Sequence, residues 1–322
     1  MKSVPLSWSG WLAEEKAQRL AQSLWRQKQP LDSAQSTRVL LQGQWLHNFC
    51  SNDYLGLAND DELKHYAQQA ITRDGVGAGS AALVCGHHRE HQALQEELAS
   101  WLGVEAVLLF GSGYMANMGV LTALLGKGDA VFQDRLNHAS LLDGGLASGA
   151  RQQRYAHNDC ADLQRRIAAS NARRSLVASD GVFSMDGDVA SVQQLVEVCA
   201  QHSALLLLDE AHALGVIGVG GRGTVLAAGL SPDAVALRIG TLGKAFGGYG
   251  AFVAGPKDLV EMIQQLARPA IYTTALPPAW AATMRKSLQL VESQDWRRQH
   301  LNQLINRLRS GLLQQGWALL PS

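Results

Sequence analysis

The chain lacks paired cysteines at metal-binding or disulfide-framework spacing. Its four cysteines, Cys50, Cys85, Cys160 and Cys199, show no CxxC pattern, which excludes a zinc ribbon and a small disulfide scaffold. An excess of charge of either sign is missing too. Lys+Arg and Asp+Glu both number 28, so neither a nucleic-acid surface nor an acidic tail is indicated. No apolar run reaches the roughly 18 residues of a membrane span. The first fifteen residues also lack the apolar stretch of a signal peptide, and a cytoplasmic location is expected. There is no GxxxxGK[ST] phosphate loop, no HExxH pair, no internal repeat and no low-complexity segment. What is there, 47% apolar and 17% charged residues over 322 positions, describes a soluble globular chain long enough for a large core and two domains.

From about residue 90 to 255, apolar strands alternate with segments of helical period, the pattern of a parallel, helix-flanked sheet. Glu90 to Leu102 has helical spacing, with Leu94, Leu98 and Leu102 on one face and Glu96 and Glu97 outside. Val104 to Phe110 reads as a buried strand, Gly111 to Gly113 as a turn and Tyr114 to Leu125 as a helix. Further strands are expected at Ala130 to Gln133, Ser175 to Ala178, Leu205 to Leu208, Ala234 to Ile239 and, in antiparallel sense, Tyr249 to Ala254, with a helix at Val192 to Gln201. After Pro277-Pro278 the pattern becomes one helical stretch from Ala279 to about Leu313. Trp317 to Leu320 then reads as a strand with no partner in the chain.

In open parallel sheets, ligands sit beyond the carboxyl ends of the strands, and the residues there form a constellation. Leu205-Leu-Leu-Leu208 ends in Asp209, and His212 lies three residues on. A buried carboxylate needs a partner, either a ligand N–H, an arginine or a helix cap. Lys244, in Gly240-Thr-Leu-Gly-Lys244, follows a strand and precedes Phe246-Gly-Gly-Tyr-Gly250. Apolar, close-packed surroundings lower a lysine's pKa and free its amine. A Schiff-base amine and a carboxylate for a pyridinium nitrogen are what pyridoxal phosphate (PLP) requires. Ser112-Gly113-Tyr114 opens a helix, either as a phosphate seat or as a plain strand-to-helix turn. His138 would either stack on a flat ring or cap a helix. Asp209-Glu-Ala-His212 also spells a helicase box, but without a phosphate loop it carries no weight. Gly218-x-Gly220-x-x-Gly223 matches a dinucleotide pattern but comes well after its strand. His87-His88-x-x-His91 is expected to be a solvated helix start rather than a metal site, and no metal is expected.

Asn48-Phe-Cys-Ser-Asn52-Asp-Tyr-Leu-Gly-Leu57, Asp180-Gly-Val-Phe-Ser184-Met-Asp-Gly187, Asp209-Glu-Ala-His212 and Gly240-Thr-Leu-Gly-Lys244 together resemble the α-oxoamine synthases. These are fold-type I PLP enzymes that condense an amino acid with an acyl thioester, and the likeness covers most of residues 20 to 322. It implies a mostly parallel seven-stranded sheet flanked by helices. It also implies an N-terminal helical arm (1–45), a large PLP-binding domain (46–278) and the start of a small C-terminal α/β domain (279–322), inside which the chain ends. By the same resemblance Lys244 is the Schiff-base lysine, Asp209 the pyridinium partner and His138 the ring-stacking residue. Ser184 and His212 flank the ring hydroxyl. Thr241, Gly113 and Tyr114 hold the phosphate, with Thr273 or Thr274 arriving from a second subunit of a homodimer. Arg26, Asn52 and His138 are implied on the substrate side. The chain departs from the family at Gly79-Ser-Ala-Ala82, where Gly-Gly-Ser-Arg is common, which bears on the same side of the pocket.

Arg154-Tyr-Ala-His-Asn158-Asp159 and Arg268 to Pro278 are most similar to the branch that joins L-alanine to a pimeloyl thioester, on coenzyme A or a carrier protein, on the way to biotin. The implied chemistry has Lys244 remove the alanine Cα proton, the carbanion attack the thioester and the adduct lose carbon dioxide, while His138 hydrogen-bonds the developing oxyanion or the carboxylate. Three alternatives stand beside it: a branch acylating glycine or serine, a PLP-binding protein without turnover, and a nicotinamide oxidoreductase resting on Gly218, Gly220 and Gly223.

Overall fold

Short apolar runs bounded by turn residues build the sheet that carries the site. The computed structural model describes residues 5–322, in two units, 5–50 and 51–322. In the first unit, helix Leu6–Ala21 is followed, after a stretch without helix, by an antiparallel hairpin of β1 (Arg38–Leu41) and β2 (Gln44–His47). Its two-residue turn needs positive φ at both positions, which Gln42 (50°) and Gly43 (78°) supply. The arm expected over 1–45 is therefore helical only in its first part, a boundary at 45 would cut β2, and residues 1–4 of it lie outside the described residues.

The second unit holds β3 (Ala106–Phe110), β4 (Ala130–Asp134), β5 (Arg151–Tyr155), β6 (Ser175–Asp180), β7 (Leu205–Asp209), β8 (Leu237–Thr241) and β9 (Ala251–Gly255). They form one seven-stranded sheet in the order β3-β9-β8-β7-β6-β4-β5. The run from β5 to β8 is parallel, and β9 is antiparallel to both β8 and β3, as expected for the strand at 249–254. Side chains alternate across the sheet. Leu207 and Ala178 face a cluster with Val120 and Leu121 of helix Gly113–Leu124, whereas Leu206, Leu208 and Val177 face Leu163 and Leu195 on the opposite side. Extending the alternation by two residues turns Asp209 and Asp180 toward helix Gly113–Leu124.

Four expectations are corrected. The strand read as Ala234 to Ile239 starts at Leu237 and runs to Thr241, because Pro232–Ala234 forms a 3-10 turn. The single helix from 279 to 313 is two, Pro278–Ser293 and Trp296–Gln314. The break at Asp295 is stabilised by Arg298, which donates to Asp295 and to the Val291 carbonyl at 2.6 Å. Trp317 to Leu320 is not a strand. His91 is not solvated: it is buried, closes a capping box with His88 and contacts the Leu276 carbonyl at 2.6 Å. Helix Pro278–Ser293 packs on helices Asp61–Asp74 and Arg89–Leu102, and Arg285 pairs with Glu90 and Glu97, each at 2.6 Å.

Candidate active site

The carboxyl ends of β6 and β7 place two acids side by side, since Asp180 and Asp209 are register partners. Both are buried. Asp209 accepts from Asn117 Nδ2 at 2.6 Å and from the Ala211 N–H at 2.9 Å. Asp180 accepts from the His138 N–H at 2.8 Å. Burial pushes the Asp180 carboxyl up to about 8, and the adjacent Asp209 charge adds to the rise.

Lys244 stands three residues beyond β8 in a loop whose Leu242, Ala245 and Phe246 are fully buried. The loop folds on itself through Gly247 N–H to Lys244 O and Gly248 N–H to Leu242 O, both 2.8 Å. Only glycine serves at 247. Its φ is +67°, and a Cβ there would lie 2.4 Å from the Leu57 and Ala58 backbone. Burial holds the Lys244 amine below its ordinary range, against the opposing pull of Asp209 and Asp180. Lys244 Nζ lies 2.7 Å from His212 Nε2, and His212 Nδ1 lies 2.7 Å from Tyr54 Oη. Burial, then the charges of Lys244 and His138, lower His212 to about 4. Tyr54 also donates to Asn52 Oδ1 at 3.2 Å, which ties exposed Asn52 to the same chain.

His138 caps helix Ala139–Ala147, and its ring meets Tyr114 edge-on at 6.5 Å. Helix Gly113–Leu124 opens here, with Ser112 Oγ accepting from Met115 N–H at 3.3 Å. The first N–H groups of a helix have no intrahelical acceptor, so Gly113 and Tyr114 offer donors at the helix end beside His138. The Tyr114 side chain is directed to Asp143, to which its hydroxyl donates. Thr241 ends β8, and its Oγ1 accepts from Gly243 N–H at 3.2 Å.

The structure thus joins Lys244, His212, Asp209, His138 and Asn52 through hydrogen bonds or charge, with Gly113, Tyr114 and Thr241 at adjoining strand and helix ends. It does not join Ser184, Thr273 and Thr274 to them. Ser184 is exposed in the loop after β6. Arg26 is exposed in the 5–50 unit. Thr273 and Thr274 line a separate cavity of about 440 Å³ with His91 and Gly111, a cavity that none of Lys244, Asp209, His138 and His212 lines. Four residues that sequence reasoning did not single out belong to the cluster: Tyr54, Asn117, Ser140 and Asp180. Tyr54 and Asp180 sat inside the quoted motifs. Asn117 was visible only as an amide in an otherwise apolar helix, and Ser140 only as part of Asn137-His-Ala-Ser140.

The discarded patterns have structural explanations. Gly223 (φ +95°) wraps the fully buried pair Glu210–Arg238, where a Cβ would sit 2.8 Å from the Glu210 oxygens. Among the described residues, His157, Asp186 and Asp188 are spaced for a metal. However, both His157 nitrogens already contact carboxylates, Asp134 at 2.9 Å and Asp188 at 3.0 Å. Burial alone would lower His157, but these two acids outweigh it and raise its pKa, which disfavours a metal-binding lone pair.

PLP fits these residues on the structure's own terms. Two buried carboxyl groups sit near a single desolvated amine and lack an arginine partner in the described hydrogen bonds, and Asn117 Oδ1 is buried without a hydrogen-bond partner. Residues 46–322 match the family Aminotransferase class I and II. The chain is 52% identical over 311 residues to an 8-amino-7-oxononanoate synthase of Cellvibrio japonicus, covering 97% of this chain and 78% of that protein. A serine palmitoyltransferase of S. paucimobilis, solved with bound PLP–myriocin, superposes with a TM-score of 0.90 at 28% identity, over 98% of this chain and 80% of that one. An 8-amino-7-oxononanoate synthase of Francisella tularensis gives a TM-score of 0.74 at 31% identity, over 84% and 77% of the two chains. With its sheet, its paired acids and its desolvated lysine in place, the chain belongs to the 8-amino-7-oxononanoate synthases, PLP-dependent acyltransferases of fold type I in the α-oxoamine synthase family.

Proposed function

We propose that the chain joins the Cα of L-alanine to the carbonyl of a pimeloyl thioester, on coenzyme A or a carrier protein, releasing the thiol and carbon dioxide to give 8-amino-7-oxononanoate. The observation that carries this reading is the buried Asp209 set within Coulombic reach of an amine, Lys244, whose pKa burial lowers. PLP, when bound, is the electron sink for a carbanion at the amino-acid Cα. Asp209 would hold the ring nitrogen and keep it protonated. The free amine of Lys244 would bind the cofactor's carbonyl carbon and later take the Cα proton, with His212 Nε2 orienting Nζ from 2.7 Å. The donors at Gly113 and Tyr114, together with Thr241, suit a phosphate. His138 would face the substrate. Ser184, Asn52 and Arg26 are proposed contacts on the hydroxyl and substrate sides. The cavity that Thr273 and Thr274 line away from this chain's own lysine favours a homodimer in which they serve the partner's site. The domain division at 278 is part of the same proposal.

The test is turnover with L-alanine and pimeloyl thioester, beside the visible spectrum of PLP-loaded protein titrated with L-alanine and then glycine. Condensation with alanine in preference to glycine is expected. In Lys244→Ala, borohydride should fix no cofactor to the chain. A fixed adduct in that variant would refute the lysine assignment, and a response to glycine alone would move the substrate to another branch of the family.

A further inference from the structure

An unbroken hydrogen-bond path runs from Asp209 to the ring of His138, and its polarity follows from which groups can only donate. The Asp209 oxygen accepts, so Asn117 must present its amide nitrogen at 2.6 Å. The same nitrogen reaches Ser140 Oγ at 2.9 Å, so both amide hydrogens are spent and Ser140 Oγ is an acceptor there. Ser140 Oγ in turn lies 2.7 Å from His138 Nδ1. The backbone N–H of Ser140 points at that same nitrogen from 3.3 Å. A backbone N–H has no lone pair to offer, so Nδ1 must carry one. The remaining hydroxyl hydrogen of Ser140 then has one use, which is to donate to Nδ1 as well. The ring proton is left on Nε2. Asn117 and Ser140 are only 1% and 0% exposed, so neither can exchange its partner for water. The backbone of His138 is tied down separately by Asp180 at 2.8 Å.

We propose that Asn117 and Ser140 are positioning residues that hold His138 as the Nε2–H tautomer, fixed in rotation, so that it presents a hydrogen-bond donor and not a base to the bound amino acid. That the donor meets a substrate carboxylate or oxyanion rests on the proposed function; the tautomer itself does not. The two acids at the sheet end thereby govern one histidine, Asp180 through its main chain and Asp209 through its ring. A His138 set in this way cannot take the Cα proton through Nε2, which leaves that task to Lys244.

The experiment is a long-range ¹H–¹⁵N correlation spectrum of the full chain, with and without PLP, and with His138→Gln to assign the signal. The Nε2–H pattern is expected in both states. Ser140→Ala removes one donor to Nδ1, and the expected outcome is a mixture of tautomers with kcat/KM for alanine about tenfold lower. Ser140→Thr, which keeps the hydroxyl, should restore both. Asn117→Ala should loosen the ring in the same direction, and thermal melts report whether either variant folds. A wild-type protein with its proton on Nδ1 would overturn the proposal, as would a folded Ser140→Ala with tautomer and kcat/KM unchanged. If Nε2–H is seen without condensation of alanine, the reaction assignment fails and the network stands. If alanine condenses while Nδ1 carries the proton, the reverse holds.

Discussion

Tyr54 shows how a residue without chemistry of its own reaches the reacting amine. Its hydroxyl fixes one nitrogen of His212 at 2.7 Å, and the other nitrogen meets Lys244 at 2.7 Å. Tyr54→Phe keeps the ring packing and removes that anchor, so His212 is free to rotate away from Nζ. Turnover is expected to fall about tenfold, the loss of one hydrogen bond to a buried group, with the thermal midpoint little changed. Unaltered steady-state rates would take Tyr54 out of the site. Nothing in the residue type announced this: a tyrosine in Asn52-Asp-Tyr54 looks like any turn residue until the fold brings it against a histidine 158 positions away. Lys244 and Asp209 were legible because each ends a hydrophobic run, and a strand end in a parallel sheet is a place with a known use.

Glu210 and Arg238 belong to the next scale, because their pairing organises an element. The pair is fully buried on β7's end and β8 at 3.4 Å, and Glu210 also accepts from Thr224 N–H at 3.0 Å. The glycine-rich turn at 218–223 closes over it, which is the structural origin of the dinucleotide-like spacing. Glu210→Gln leaves a buried guanidinium without its counter-charge, and urea denaturation should register a loss of about 3 kcal/mol or more. The double change Glu210→Leu with Arg238→Met should recover most of that loss, since two matched apolar groups replace two matched charges. Failure to recover would mean that the pair holds the turn through geometry and not charge. The strand β5, Arg151-Gln-Gln-Arg-Tyr155, carries the complementary lesson. It lies at the sheet edge with polar side chains, as edges commonly do, and so gave no hydrophobic signal in the sequence.

At the scale of the whole molecule, two shifted groups set opposing slopes of stability against pH in the protein without PLP. Asp180, raised from 3.8 to about 8, keeps a proton that the unfolded chain releases, so stability falls as pH rises between those values. His212, lowered from 6.5 to about 4, refuses a proton that the unfolded chain takes up, so stability falls as pH drops through that window. The two offset each other between about pH 4 and 6.5. Above 6.5 the Asp180 slope is left. Lys244 works the other way, adding stability with rising pH above its own folded pKa. Denaturant midpoints of the parent and Asp180→Asn, compared from pH 6.5 to 8, isolate the contribution of Asp180. The variant should fall less steeply, and identical slopes would show that Asp180 does not hold its proton.

The sequence alone determined the alternation of strand and helix, a last strand near 249–254, and Asp209 and Lys244 at or just beyond strand ends, because hydrophobic period and strand termini are local properties of a chain. It also carried the family motifs, which name residues without saying what they touch. Tertiary structure alone decided that Asp180 lies beside Asp209, that Asn117 and Ser140 connect Asp209 to His138, and that Tyr54 reaches His212. It also decided that His91 is buried, against the Leu276 carbonyl. Each of these depends on register between strands or on a contact across many positions. Burial, which shifts Asp180, His212 and Lys244 in their different directions, exists only once those contacts have closed.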